Sequence, residues 1–407
     1  MATLIACSTS KKSVQYDYSY LYQEDQKLIK PRFKLFHRDQ DTSVLYFKIK
    51  SDDILYGKLG GDSLSIARVL CKYKVYGKKG KKDIVDSATV PLISYGENAA
   101  GLILQAKVKM AIPQGELYPM EIRFRDEYRD LNVVYYHWAD KRPNGNSQYY
   151  LIKQGQKIIE DHIVAKGNRY SLHKSKLITA NRFSLKQSGL EYEMTPPPFA
   201  TEVEPPYPPT SDSSISKIFV SDSLIIEGFE RNNWLVCDTD SSLRPFYFFR
   251  FQANFPEVTQ FEKMIGPIRY ISTSSEYKSL QHAINKKKAL DHFWLELGKQ
   301  EERTKKMIRE FYRRVELANR YFSNFREGWK TDRGIIMIVY GEPSSIYKSI
   351  NQEKWVYGEE NHILSIQFNF QLRDNNMSRN VFELERNSDY KNNWYRAVDS
   401  WRQAKIY

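Results

Sequence analysis

Side chains with reactive chemistry are spread thinly along this chain of 407 residues. Its histidines, His37, His137, His162, His173, His282, His292 and His362, never stand three or four apart, the spacing that sets two imidazoles on one helix face around a metal ion. No Gly-x-Ser-x-Gly elbow, His-Glu-x-x-His pair, phosphate-cradling glycine loop or Cys-x-x-Cys occurs. The adjacent acids Glu301-Glu302 and Glu359-Glu360 read as solvated charge rather than as a general acid and base. The expectation is therefore a protein without cofactor, metal or a recognisable catalytic set. An enzyme is still open, because residues far apart in sequence can assemble a site that no spacing reveals.

Three other groups carry chemistry of a binding kind. Leu4-Ile5-Ala6-Cys7 has the form of a bacterial lipobox, with the small Ala6 beside the thiol that would be acylated and Ser8-Thr9 opening a polar tether. The basic and apolar stretches of a signal peptide are not found before it, so the precursor is expected to start upstream of Met1. Ser8 in place of Asp favours the outer membrane in the familiar bacterial pattern, with the acyl chains as the membrane contact. Lys72-Tyr73-Lys74-Val75-Tyr76 runs into Lys78, Lys79, Lys81 and Lys82, which reads as a strand leading to a basic hairpin tip. Such a tip meets anionic headgroups or an acidic partner, or is simply solvated; tyrosines among lysines can stack bases, but no nucleic-acid recognition motif accompanies them. Tyr16, Tyr18, Tyr20 and Tyr22 stand at period two, so in a strand every ring shares one face. That strand either packs on a sandwich or adds to a partner's sheet edge.

The stretch from Phe325 to Pro343 is the most specific in the chain. Gly328 ends a long helical pattern, Trp329 supplies a large ring, Thr331 and Asp332 offer oxygens to a turn, and Gly334 breaks the chain before a run from Ile335 to Val339 that reads as a buried strand. Tyr340-Gly341-Glu342-Pro343 closes the run with turn chemistry. In this spacing Gly328, Trp329, Thr331 and Asp332, followed by Arg333-Gly334 and Gly341-x-Pro343, resemble the GWxTD domain. The resemblance covers about the last third of the chain. It implies a Gram-negative envelope protein, often a lipoprotein, and no catalytic activity. On the residues alone, Trp329 is an anchor in a helix-to-strand corner whose Thr331 and Asp332 satisfy turn amides.

The elements that would position these residues divide the chain. Residues 1–30 form the lipobox and tether. Short β-type runs over 31–165, punctuated by Gly60-Gly61, Pro113-Gln114-Gly115 and Pro143-Asn144-Gly145, predict an immunoglobulin-like antiparallel sandwich. A second β-rich domain, also expected to be such a sandwich, spans 166–274 and carries a proline-dense loop over 195–210. Helical faces marked by Leu280, Ile284, Leu290, Trp294 and Leu297, then by Ile308, Phe311, Val315, Ala318, Phe322 and Phe325, open an α+β module over 275–407. The chain as a whole is multidomain and mainly β.

A formal net charge of +13 and a pI near 9.3 point to an acidic partner, and charge does not choose among nucleic acid, lipid headgroups and protein. Cys71 and Cys237 fall in different domains and are expected as free thiols. Together these features lead to a lipid-anchored protein on the periplasmic face of the outer membrane. The resemblance to the GWxTD domain implies in addition a binding, scaffold or plug subunit of an export translocon of the type IX kind, with an outer-membrane protein as partner and no nucleic acid. The competing expectation is an envelope hydrolase or carbohydrate-active enzyme with a cleft around Trp329, Asp332 and Glu342.

Overall fold

The structure is a computed structural model; it describes residues 17–22, 29–58, 65–96, 101–129, 131–188, 192–201, 211, 213–227, 232–360, 362–375 and 377–405. Cys7, Tyr16 and most of the prolines of the 195–210 loop lie outside them.

The first β module contains β1 (Arg32–His37), β2 (Thr42–Lys50), β3 (Gly57–Lys58), β4 (Ser65–Tyr76), β5 (Ile84–Tyr95), β6 (Ile103–Ala111), β7 (Leu117–Asp126) and β8 (Leu131–Asp140). One antiparallel sheet runs β1-β2-β6; in the other, β4 lies between β5 and β7, with β8 beyond β7 and β3 against the start of β4. Alternation dictates the strands. On β4, Ala67, Val69, Cys71, Tyr73 and Val75 are buried while Arg68 and Lys72 face solvent. They meet Leu35, Leu45, Phe47 and Ile49 of the other sheet in one core.

The second module holds β9 (Tyr150–Gln154), β10 (Lys157–Ile159), β11 (Arg169–Lys174), β12 (Arg182–Ser188), β13 (Ser213–Ile218), β14 (Ser223–Glu227), β15 (Asn232–Cys237) and β16 (Phe246–Phe248). Its two antiparallel sheets, β10-β9-β11-β14 and β13-β12-β15-β16, enclose Ile152, Leu172, Phe183, Leu185 and Phe248. β9, which falls inside the range 31–165 expected for the first module, therefore pairs within the second, on β11. The chain crosses between the modules after Asp140 rather than near residue 165. Cys71 and Cys237 are buried free thiols, one in each module.

The third module begins with α1 (Phe261–Ile268), α2 (Ser274–His282), α3 (Lys286–Gly298), α4 (Glu301–Phe322) and α5 (Asp332–Tyr340). It continues with β17 (Ser345–Lys348), β18 (Gln352–Tyr357), β19 (Ile366–Leu372), β20 (Phe382–Leu384) and α6 (Tyr390–Arg402), the four strands forming an antiparallel meander in sequence order. α4 is the clearest product of its sequence: Met307, Phe311, Val315, Ala318 and Phe322 recur every three to four residues and are all buried. The face that begins at Leu280 is split between α2 and α3, and Ile284, in the break, is fully exposed.

Two further expectations change. The run from Ile335 to Val339 is the core of helix α5, not a strand, and Arg333 to Val339 are all buried. A helix buried on every side needs no polar face, so its sequence is indistinguishable from that of a buried strand. The tyrosine segment is not a strand either: Ser19–Leu21 is a 3-10 turn, Tyr18 and Tyr22 are buried and Tyr20 is half-buried, all packed into or against the third module's core.

Candidate functional site

The Phe325–Pro343 stretch builds a tight corner between α4 and α5. Gly328 sits so close to α4 that a Cβ there would lie 1.9 Å from the Ala318 carbonyl oxygen, and a Cβ on Gly334 would lie 1.9 Å from that of Gly328. Both glycines are required by backbone approach. The Trp329 ring lies edge-on to Tyr270 and over Gly266, its backbone N–H donates to Asn319 Oδ1 at 3.2 Å, and its carbonyl accepts from the Tyr270 hydroxyl at 3.1 Å. Thr331 is the N-cap of α5: its Oγ1 accepts from Gly334 N–H at 3.1 Å and donates to the Gly328 carbonyl at 2.7 Å. Thr331 thus does the turn work expected of it.

Asp332 does more than serve a turn. Its Oδ2 accepts from the backbone N–H of Leu384 on β20 at 2.9 Å, and its Oδ1 accepts from Thr195 Oγ1 at 2.6 Å and from the Arg386 guanidinium. Arg386 also donates to the carbonyls of Pro196 and Pro197, so one carboxylate ties α5, the β20 end and the Thr195–Pro197 segment together. Arg333 is buried and donates to Glu353 at 3.1 Å and to the Asn380 carbonyl at 3.2 Å, its guanidinium stacked 4.3 Å from the Phe382 ring centre. Burial raises the Glu353 pKa, but Lys348 and Arg333 outweigh it and hold the carboxyl below its usual range. Gly341 has φ +84° and ends α5 against Arg314, and Pro343 is buried behind it. Glu342 is paired with Arg313 at 2.8 Å.

The basic hairpin is where the sequence places it, joining β4 to β5 with Lys78, Lys79, Lys81 and Lys82 exposed. Lys78 pairs with Glu116 at 2.7 Å. Tyr73 and Tyr76 are buried in the module, so they cannot stack bases. The tyrosine segment is likewise not free for a partner. Tyr22 packs edge-on against Tyr321 and Phe322 and accepts from Lys348 Nζ at 2.8 Å. Tyr18 N–H donates to the Ile346 carbonyl at 2.7 Å, and Asp17 accepts from Ile346 N–H at 2.8 Å, covering the edge strand β17.

One cluster of largely buried polar side chains has no signature in the sequence, because three modules contribute it. A cavity of about 1070 Å³ lies where they meet, walled by β1, β8, the Glu160–His162 turn and the β19–β20 loop. Lys34 Nζ donates to the Ser147 carbonyl at 3.1 Å and contacts His162 Nε2. Asp140 is fully buried and shared by Arg142 at 2.8 Å and Arg379 at 2.6 Å. Gln148 contacts the rings of both His37, at 3.0 Å, and His137, at 3.1 Å. Burial, aided by nearby Lys141 and Arg379 charge, pushes the His37 pKa down to about 3, and burial with Arg379 and Lys34 does the same to His137. Burial raises the Asp140 pKa, but Arg142 and Arg379 hold it at about 2. Among the described residues no three His, Cys, Asp or Glu side chains are grouped to hold a metal ion.

Two antiparallel β modules followed by an α+β module whose signature residues are built into its own corner define a multidomain, mainly β protein. Residues 233–403 match the family model of the GWxTD domain, so this is a GWxTD domain-containing protein. The match opens within β15, so the domain takes in the end of the second β module and begins well before residue 275. No curated protein is similar enough to the chain to match it. No helix among the described residues is long and apolar enough to cross a membrane.

Proposed function

We propose that this protein is a non-enzymatic, lipid-anchored component of the bacterial outer membrane, facing the periplasm. It would serve as a binding, scaffold or plug subunit of an envelope export machine of the type IX kind, with two immunoglobulin-like modules ahead of its GWxTD domain. The observation that carries the reading is that Trp329, Thr331 and Arg333 are buried, that the Asp332 carboxylate is only 10% exposed, and that all four are bonded within the chain. A motif used up in this way makes a rigid body for others to bind, not a reaction site. The lipobox-like Leu4–Cys7 supports the anchor, and the exposed Lys78–Lys82 tip supports an acidic partner surface.

The test is the full native gene, expressed as wild type and as Cys7→Ser and purified from detergent-solubilised outer membranes. An acylated mature N-terminus at Cys7 is expected, together with a co-purifying outer-membrane protein that is lost as salt rises or when Lys78, Lys79, Lys81 and Lys82 are changed to Glu. A soluble, unacylated product with no partner would sink the reading. Turnover of a cell-wall glycan or glycoside by the pure protein would move the assignment to the envelope hydrolase.

A further inference from the structure

The junction cavity has a charge balance that its own residues leave incomplete. Lys34 is 7% exposed, yet its Nζ reaches only a carbonyl and an imidazole nitrogen; it has no ion-pair partner among the described residues. Of the two acidic wall residues that act on Lys34, Glu160 and Asp161, neither pairs with it, and Glu160 is taken by Lys48 at 2.7 Å. Arg379 and Arg142 share the single carboxylate of Asp140. His137 and His162, which also face this space, are held neutral by burial. A buried ammonium beside a half-compensated guanidinium is costly unless an anion joins them. The free space is large enough for more than an ion, and Phe33 and Trp138 stand in its wall as flat apolar surface.

We propose that the junction cavity binds a small organic oxyanion, a phosphate ester or a carboxylate. Its anionic head lies between Lys34 and Arg379, and its organic part lies against Phe33 and Trp138. The occupant bridges all three modules, since Lys34 comes from the first, His162 from the second and Arg379 from the third. Binding also moves a proton. Burial lowers the Lys34 pKa to about 7, with Arg379 adding to the effect and Glu160 and Asp161 opposing it. An anion beside Nζ restores the charged form, so binding at pH 8 takes up a proton.

The experiment is calorimetric titration of the full chain at fixed ionic strength with sulfate, glycerol 3-phosphate and succinate. The expected result is saturable binding of one oxyanion per chain, with Lys34→Met and Arg379→Gln each weakening it at least tenfold and the exposed Lys278→Glu leaving it unchanged. The two organic probes tell a phosphate ester from a carboxylate. Lys34→Met should fold at least as stably as the parent without ligand, because it removes a buried amine whose charged form has no ion-pair partner. Sulfate heats measured at pH 8 in two buffers of different ionisation enthalpy read the proton uptake on the unaltered chain, a signal that exposed lysines of ordinary pKa do not produce. No binding by any of the three probes, binding without proton uptake, or binding lost in Lys278→Glu and kept in Lys34→Met, would overturn the proposal.

Discussion

Asp332→Ala should unfold the GWxTD domain more easily than loss of a turn residue would. The carboxylate is 10% exposed and its partner Arg386 9% exposed, so the pair is about nine-tenths covered. Removing one partner of a buried pair costs about 3–5 kcal/mol. Arg386 keeps its bonds to Pro196, Pro197 and Thr195, which pulls the value toward the lower end. The Leu384 N–H loses its acceptor, which adds ~1 kcal/mol or more. The sum is about 4 kcal/mol. Asp332→Asn keeps an oxygen for Leu384 and should cost about half of that, while Asp332→Ala with Arg386→Met removes the stranded cation and should recover ~2 kcal/mol relative to additivity. Urea unfolding followed by tryptophan fluorescence is the assay, because Trp294, Trp329, Trp355, Trp394 and Trp401 all report on the third module. A cost for Asp332→Ala below about 1 kcal/mol, or a double variant equal to the sum of its singles, would refute the argument.

Trp329→Ala should cost about 3–5 kcal/mol in the same assay, as truncation of a buried indole does, with no loss of bonding at Asp332; a cost near zero would mean that the ring serves binding instead. Stability should also fall with acid through the histidines. In the folded chain His37 and His137 have pKa values depressed to about 3, whereas the unfolded value is near 6.5. Between these limits the unfolded chain binds protons that the folded chain refuses, so their contribution is complete above pH 6.5 and is lost as pH falls toward 3. At pH 5 the loss is about 2 kcal/mol per histidine. Urea midpoints at pH 7 and pH 5 measure it, and equal midpoints would contradict the burial argument.

How far the sequence reveals the fold depends on whether an element has a polar side. β4 and β7 alternate buried and charged residues, and α4 separates its apolar stripe from a basic face, so each is readable from its own residues. α5 is buried all round and carries no such contrast, and Gly334 sits where a break is the natural reading, although its actual function is to let α5 touch the 3-10 turn at Gly328. The tyrosine segment misleads for the opposite reason. Its period of two is genuine, but the rings are gathered by α4 and the β17 edge rather than by a sheet of their own. Of the candidate sites, the motif was legible because its residues are adjacent. The cavity was not, since its Lys34–His162 contact joins positions 128 residues apart.

These long-range contacts also bear on what can be studied in isolation. A fragment beginning near residue 275 would lose β15 and β16, which the domain match includes, and Tyr270, which holds the Trp329 carbonyl. It would also lose Tyr22, exposing the groove formed by Phe322 and Trp355, and Thr195, one of the three donors to Asp332. The signature corner is therefore completed by segments lying before it in the chain. Tyr20 and Tyr135 pack against the cores of both the first and the third module, and Arg379 reaches from the third to Asp140 of the first. Cooperative unfolding of the three modules follows from that geometry. Any variant at Asp332 or Trp329 has to be compared in the full chain, because in a fragment the bonds being tested have already been broken.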